Sequence, residues 1–225
     1  MSFTSFANRK QAGEELARAL LPRQYEQPLV LALPRGGVPV ALEVARALKA
    51  PLDLLLVRKI GVPRQPELAA AAVVDGEAPD IVYNDTVLKA TGLRQTDVEK
   101  LAQKELAEID RRRKLYMKDR PPFSVAGRTA IVVDDGIATG TTVKAALKAL
   151  KRRRPEKLVL AAPVAPADTL DRLRRHVDEV VCLHQPQPFG AIGYFYDDFH
   201  QVPDDEVIEQ LERSRSFIAG TNSGS

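Results

Sequence analysis

Short runs of apolar residues alternate with stretches of helical periodicity along most of the chain. Apolar runs of strand length occupy residues 29–33, 52–57, 129–133, 158–162 and 179–183. Apolar residues spaced by three and four positions predict helices over 9–21, 40–48, 141–153, 170–177 and 204–214. Strands that are apolar without interruption are typical of parallel sheets covered on both faces. The pattern therefore predicts an α/β fold, a doubly wound parallel sheet of about five strands with helices on both faces.

Two segments depart from this alternation. Residues 84–120 are mostly polar, with a capping-box pattern that starts at Thr96, and we interpret them as a helical insertion over the sheet. Its basic run, residues 111–114, is interpreted as a solvated helix face rather than a nucleic-acid contact. Residues 185–215 contain prolines, glycines and aromatics before the last helix, and are interpreted as a C-terminal hood. We expect one domain over 1–215 and a flexible tail over 216–225.

Residues 68–74 fit either a helix or a strand. The pair Val73-Val74, followed by Asp75-Gly76, favours a strand that enters a turn.

The composition limits the classes of partner. The 225 residues include 33 Lys and Arg against 30 Asp and Glu, a net charge of +3, which suits a small anionic substrate and does not require nucleic acid. Cys182 is the single cysteine, so neither an intramolecular disulfide nor a thiolate metal cluster is available. Residues 1–10 have no apolar core of signal-peptide length, and no run of 18 apolar residues follows. We therefore expect a cytoplasmic protein without a membrane partner.

The strongest chemical signal is residues 131–142, Ile-Val-Val-Asp-Asp-Gly-Ile-Ala-Thr-Gly-Thr-Thr. Amides at a helix N-terminus and Thr hydroxyls bind phosphate, and Gly136 and Gly140 let the backbone approach it. The carboxylates of Asp134 and Asp135 would repel an anion unless ribose hydroxyls or magnesium offset their charge. This chemistry favours a sugar phosphate with Mg²⁺ over a plain βα turn capped by Asp and Thr.

This stretch closely resembles the motif with which type I phosphoribosyltransferases bind 5-phosphoribosyl pyrophosphate (PRPP): an apolar strand, two acids and a loop that ends Thr-Gly-x-Thr. The resemblance implies that Asp134 and Asp135 hold the ribose hydroxyls and the metal, while residues 137–141 wrap the 5-phosphate. The implied substrate-binding residues of this segment are Asp134, Asp135, Gly136, Ile137, Ala138, Thr139, Gly140, Thr141 and Thr142. The segment lacks the Gly-Lys-Ser/Thr ending of a Walker A loop.

A second motif, Leu33-Pro34-Arg35-Gly36-Gly37, follows the first apolar run. Alone, it indicates a turn. Beside the motif above, it resembles the pyrophosphate loop of the family. The resemblance implies that the leaving group is bound by the amides of Gly36 and Gly37 and by Arg35, whose guanidinium matches phosphate oxygens. Such loops often carry a non-proline cis peptide bond, which Gly36 would tolerate.

A third motif, residues 57–68, contains three basic residues, two prolines and a glycine after the second apolar run. It suits a solvated surface loop or, by the resemblance, the flexible catalytic loop of the family, a basic lid that closes over the pyrophosphate and excludes water. The resemblance implies that Arg58 and Lys59 bind substrate. Glu67 meets the nucleophile, steers the lid or forms an ion pair with one of those two residues. The implied catalytic residues are Arg35, Lys59, Glu67 and Asp135.

The site of the acceptor base is the part that the sequence constrains least. Ala138 occupies the position where hypoxanthine–guanine enzymes of this family carry an acid, and an Ala-Thr-Gly ending is more similar to the adenine enzymes. Residues 189–199 are rich in aromatics, which fit either a structural cluster that packs the C-terminal helix or a surface that stacks on a base. Phe189 is the preferred stacking residue, followed by Tyr194.

The three motifs fall between residues 29 and 162 in the order that the family has. The chain is most similar to the uncharacterised branch known as predicted phosphoribosyltransferases. The resemblance implies transfer of phosphoribosyl from PRPP to a nitrogenous base, with a purine as one candidate, and release of pyrophosphate. The alternative is a non-catalytic PRPP- or nucleotide-binding regulator on the same fold. The expected partners are PRPP, Mg²⁺ and the base, without nucleic acid, and a homodimer is compatible with this interpretation.

Overall fold

A five-stranded parallel sheet forms the centre of the computed structural model, which describes residues 5–217. The strands are β1 (Leu29–Ala32), β2 (Leu52–Leu54), β3 (Val57–Val62), β4 (Gln65–Val74), β5 (Asp80–Tyr83), β6 (Thr129–Val133), β7 (Lys157–Val164) and β8 (Glu179–His184). The helices are α1 (Arg9–Leu20), α2 (Gly37–Leu48), α3 (Asp85–Thr91), α4 (Gln95–Met117), α5 (Thr141–Arg152), α6 (Ala167–Arg174) and α7 (Asp204–Arg213). The central sheet has the order β2-β1-β6-β7-β8, and all neighbouring pairs in it are parallel. The predicted fold class is confirmed.

The two faces of the central sheet pack against different helices, because successive side chains of a strand point to opposite sides. In β6, Ile131 and Val133 join a core with α1 and α2, whereas Ala130 and Val132 join a core with α5 and α6. All four side chains are buried. The strand is therefore apolar at every position because both of its faces are covered.

The register of the parallel strands decides which loops meet. Ala32, the last residue of β1, pairs with Val133, the last residue of β6. The amide of Leu33 then donates a hydrogen bond to the Val133 carbonyl at 2.9 Å. The segments after β1 and β6 therefore leave the sheet side by side at its carboxyl edge, where open α/β sheets bind ligands.

A second sheet, absent from the sequence prediction, consists of the antiparallel strands β3, β4 and β5. Residues 57–68, expected to form a surface loop or a flexible catalytic loop, contain regular structure, because β3 and β4 pair as a hairpin with an irregular register around Gly61. Arg64, in the turn, has the left-handed φ of 68°. The segment 68–74, for which the sequence favoured a strand over a helix, belongs to β4.

The helices of residues 84–120 pack mainly on this second sheet and on α7, and not over the central sheet as expected. The α4 cap also differs from the prediction at Thr96, since Asp97 Oδ2 accepts a hydrogen bond from the Arg94 amide at 3.3 Å. Between residues 5 and 217, no helix has the length and apolar character needed to cross a membrane. A short 3₁₀ helix spans Ser214–Phe217, and the rest of the predicted tail, residues 218–225, lies outside the described residues.

Candidate active site

The segment between β6 and α5 is a tight loop with exposed Thr hydroxyls. Gly140, the N-cap of α5, has φ +70°, a left-handed conformation that favours glycine. The loop is anchored through Ala138, whose carbonyl accepts a hydrogen bond from Thr169 Oγ1 at 2.9 Å. Thr139 and Thr141 are exposed, with their hydroxyl oxygens 3.4 Å apart. The loop thus presents hydroxyls beside the free amides at the start of a helix, the donors that a phosphate needs.

The two acids after β6 differ in their partners. Asp134 is half-buried, and its Oδ1 accepts a hydrogen bond from the Asp135 amide at 2.9 Å. Asp135 is buried, and its Oδ2 accepts a hydrogen bond from Arg9 Nε at 2.8 Å. Loss of solvent contact raises the pKa of Asp134 well above its usual value, and the neighbouring carboxylate raises it further. Burial also raises the pKa of Asp135, although the Arg9 guanidinium opposes this.

Arg9 is a site residue that the sequence analysis missed. Its side chain is 8% exposed, and its Nη1 donates to the His200 carbonyl at 2.8 Å. The guanidinium carbon lies 3.9 Å from the centre of the Phe199 ring. A signal was available, because Arg9 and Ala12 share the buried face of α1 by their three-residue spacing. A cation on a buried helix face requires a partner, and here the partner is Asp135.

The turn after β1 lies against the acids. The peptide bond between Pro34 and Arg35 is cis. A Cβ on Gly36 would lie 2.6 Å from the Cγ of Asp135, and a Cβ on Gly37 would lie 2.8 Å from a carbonyl at the end of β6. Both glycines are therefore required for the two loops to lie side by side. Arg35 reaches towards α7, where its Nη1 is 3.5 Å from an Asp204 carboxylate oxygen.

Neighbouring residues of β3 line two different cavities, because their side chains point to opposite faces of the strand. Arg58 borders a cavity of about 240 Å³, here called the acid-pair cavity, whose lining includes Pro34, Asp134, Thr142 and Arg112. Lys59 borders a neighbouring cavity of about 400 Å³, whose lining includes Thr139, Gly140 and Thr141 of the loop after β6. Glu67 is exposed and lines neither cavity. The structure therefore brings Arg58 to the acids and Lys59 to the loop after β6, and places Glu67 at neither cavity.

The basic run at the end of α4 is not the solvated face that was predicted. Arg111 and Lys114 are exposed. Arg113, in contrast, has a side chain only 11% exposed and lies between two carboxylates, with its Nη2 2.9 Å from Asp53 Oδ1 and its Nη1 2.7 Å from Asp75 Oδ2. This cation therefore joins α4 to the middle of β2 and to the residue that follows β4.

Arg112 is the second site residue that the sequence analysis missed. It lines the acid-pair cavity together with Arg58, and its Nε lies 2.7 Å from a Glu108 carboxylate oxygen. Arg58 is likewise paired, with its Nε 2.8 Å from Glu105 Oε2. The signal for Arg112 was its three-residue spacing from the buried Ile109, which places both residues on one face of α4.

The aromatic side chains of the hood pack against the N-terminal segment and β7, and not against the C-terminal helix as expected. Phe189 is half-buried, with its ring centre 5.2 Å from that of Phe195. The Tyr196 hydroxyl donates a hydrogen bond to the backbone carbonyl of Asp135. Tyr194 is 79% exposed. Phe189 thus lies in a structural cluster, and its role in base stacking stays a prediction.

The donor set fits a magnesium ion that is held mainly by substrate. Within residues 5–217, no group of three or more His, Cys, Asp or Glu side chains lies close enough to hold a metal alone. Mg²⁺ usually takes one or two carboxylates together with phosphate oxygens and water. Asp134 borders the acid-pair cavity, whereas one oxygen of Asp135 is occupied by Arg9. Asp134 is therefore the better-placed of the two predicted metal ligands.

Sequence comparison shows the family to which these features belong. The phosphoribosyl transferase domain family matches residues 3–198. The chain belongs to this family. A Mycobacterium tuberculosis H37Rv protein, named only provisionally as a phosphoribosyl transferase, is 46% identical over 214 residues, which are 95% of this chain. The chain spans 48% of that protein, about half of its length.

A solved structure supports the fold of this phosphoribosyl transferase domain. The crystal structure of TT1426 from Thermus thermophilus has a TM-score of 0.83 and 40% sequence identity to it. The match covers 93% of this chain and 99% of TT1426.

Proposed function

We propose that this protein transfers the 5-phosphoribosyl group of PRPP to a nitrogenous base and releases pyrophosphate, with Mg²⁺ bound beside PRPP. The observation that carries the proposal is the meeting of three elements at one edge of the sheet. The Thr-rich loop, the acid pair and the turn after β1 suit the phosphate, the ribose and the pyrophosphate of one extended ligand.

Each part of PRPP has a chemical partner in this arrangement. Residues 137–141 bind the 5-phosphate through amides and hydroxyls, and the acid pair accepts hydrogen bonds from the ribose hydroxyls. Arg58 and Arg112 of the acid-pair cavity, with Arg35 beside it, contact the pyrophosphate. The arginines are paired with Glu105, Glu108 and Asp204, respectively, in the present conformation. Pyrophosphate, a stronger anion than one carboxylate, replaces these partners when it binds.

The reaction is a substitution at ribose carbon 1. The bond from this carbon to the pyrophosphate oxygen breaks, and the electron pair leaves with the pyrophosphate. The base nitrogen forms the new bond and passes its proton to water. The arginines contribute orientation and stabilise the charge that develops on the leaving group, and bound Mg²⁺ offsets part of the same charge. Lys59 and Glu67 do not line this cavity, so their catalytic roles stay predictions.

A non-catalytic PRPP- or nucleotide-binding regulator is the second candidate function. One observation favours it: Asp135 is already paired with the buried Arg9, so this carboxylate has less capacity to act on a substrate.

One experiment separates the two functions. The protein is incubated with PRPP, Mg²⁺ and a panel of purine and pyrimidine bases, and pyrophosphate release is followed. PRPP binding is measured in parallel, where ligand at a hundredfold excess over its Kd should add about 2.7 kcal/mol of stability, roughly 5–10 °C in Tm. Base-dependent release supports the transferase. Binding without release supports the regulator, and the absence of any binding refutes both.

A further inference from the structure

The N-terminal segment and the hood are joined into one unit by backbone hydrogen bonds. The Phe6 amide donates to the Phe195 carbonyl at 2.9 Å, and the Asp197 amide donates to the Phe6 carbonyl at 2.8 Å. The Asp198 amide extends this pairing with a hydrogen bond to the Ala7 carbonyl at 3.0 Å. Helix α1 begins two residues later, so its first turn is fixed beside the hood.

Two side chains of this unit attach it to one residue of the candidate site, Asp135. Arg9 Nε donates to the Asp135 carboxylate at 2.8 Å, and the Tyr196 hydroxyl donates to the backbone carbonyl of the same residue. Arg9 Nη1 also donates to the His200 carbonyl at 2.8 Å, and the guanidinium carbon lies 3.9 Å from the centre of the Phe199 ring. Three groups thus hold the guanidinium in one orientation.

The location of Arg9 is unfavourable for a residue that serves stability alone. Its side chain is 8% exposed, so burial removes most of its hydration. It is also the first residue of α1, where the positive end of the helix dipole repels a cation. Well-packed apolar residues often stabilise a protein as much as a buried ion pair does. The arginine is therefore better explained by its effect on the carboxylate of Asp135.

Arg9 is the cation that faces the acid pair. Among residues 5–217, no other Lys, Arg or His nitrogen lies within 4.0 Å of a carboxylate oxygen of Asp134 or Asp135. Adjacent carboxylates repel each other, and Asp135 also contacts the turn after β1, where a Cβ on Gly36 would lie 2.6 Å from its Cγ. Arg9 therefore offsets the charge of the pair and restrains the acid that touches this turn.

We propose that Arg9 is a positioning residue for PRPP binding, which acts through Asp135 to hold the acid pair where the ribose hydroxyls meet it. The inference rests on the proposed function. Arg9 lines neither cavity, so it does not contact the ligand itself. A residue outside the three sequence motifs thus contributes to PRPP affinity.

The test is calorimetric titration of PRPP with Mg²⁺, performed well below the lowest Tm of the variants. Arg9→Met should raise the Kd about tenfold or more, because Asp135 loses the charge that orients it. Arg9→Lys should recover most of this loss, since an ammonium keeps a positive charge beside the carboxylate. Tyr196→Phe is the matched control, because it removes the other attachment of the hood to Asp135 and leaves the carboxylate paired. Its Kd should stay within about twofold of the wild-type value.

A double-mutant cycle shows whether Arg9 acts through Asp135. In the Asp135→Asn background the carboxylate charge is absent, so Arg9→Met should cause no further loss of PRPP affinity. If Arg9→Met does not fold, Arg9→Gln replaces it with the same expected results, since its amide still donates to Asp135 but carries no charge.

Four results would overturn the inference. These are a wild-type Kd in Arg9→Met, an equal loss in Tyr196→Phe, no recovery in Arg9→Lys, and a further loss in the Asp135→Asn background. The readout is binding and not pyrophosphate release, so it applies to a transferase and to a regulator alike. A wild-type protein that binds no PRPP would refute the proposed function as well, whereas wild-type binding with any of the four results would refute this inference alone.

Discussion

Replacing Arg113 with methionine removes a cation shared by two buried carboxylates, while an unbranched side chain still fills the space. The side chains of Asp53 and Asp75 are 2% and 3% exposed. Each keeps a backbone donor: Asp53 accepts from the Phe123 amide at 2.9 Å, and Asp75 accepts from the Gly76 amide at 2.7 Å. The variant therefore isolates the loss of charge compensation.

The substitution should lower the free energy of unfolding by a large amount for a single side chain. Removal of one partner from a buried ion pair costs about 3–5 kcal/mol, and the remaining backbone hydrogen bonds favour the lower end. For a chain of this size, that corresponds to roughly 6–20 °C in Tm. Helix α4 would lose its ionic contacts with Asp53 and Asp75. The second sheet, β3–β5, should therefore be the first part to show faster amide exchange.

The pH dependence gives a sharper test. Burial raises the pKa of Asp75 above its usual value, and Arg113 opposes this increase. Without Arg113 the pKa rises further. When the pKa of a carboxyl is higher in the folded than in the unfolded state, the protein loses stability as pH rises from the unfolded-state pKa to the folded-state pKa. The free energy of unfolding that the variant loses relative to wild type should therefore be small below about pH 4. This loss should grow as pH rises through the wild-type pKa of Asp75.

Urea denaturation at pH 4 and pH 8 measures this difference. Arg111→Met is the matched control, since it makes the same change two residues away at an exposed ion pair and should cost at most about 0.5 kcal/mol. Equal losses in the two variants, or a deficit for Arg113→Met that does not change with pH, would refute the reasoning.

Four further variants test the site. Arg9→Met leaves a buried acid without its cation and should cost about 3 kcal/mol or more in urea denaturation, whereas the exposed Lys10→Met should be close to neutral. Arg35→Ala should weaken pyrophosphate and PRPP by about 1.5–3 kcal/mol in calorimetry and spare ribose 5-phosphate; equal losses for all three would contradict its role. Phe189→Ala should lower Tm because its ring packs in the aromatic cluster, and Tyr194→Ala should raise the Kd for nucleoside monophosphates about tenfold. An unchanged Kd in both variants would place the base pocket elsewhere.

The central sheet and the loop after β6 could be predicted because their determinants are local. Uninterrupted apolar runs require cover on both faces, and Gly140 ends its loop in a conformation that glycine favours. The prediction that this loop binds a phosphate likewise rests on residues 131–142 alone. None of these inferences needed contacts between distant parts of the chain.

The ion pairs could not be predicted in the same way, because their partners are distant in sequence. Arg113 is 60 residues from Asp53 and 38 from Asp75, and Arg9 is 126 residues from Asp135. Helical spacing can place a cation on a buried face, but it cannot name the acid that faces it. The composition of the run 111–114 therefore indicated a solvated face, although the side chain of Arg113 is largely shielded between two acids.

The hairpin was missed for a different reason. Residues 57–68 contain Gly61, Pro63 and Pro66 among basic residues, a composition typical of loops. β3 nevertheless pairs with β4 along this segment, because the register shifts at Gly61. A Cβ at Gly61 would lie 2.7 Å from the Cα of Pro66, so the shift requires glycine there. Only the tertiary pairing, and not the local pattern, makes this segment a strand.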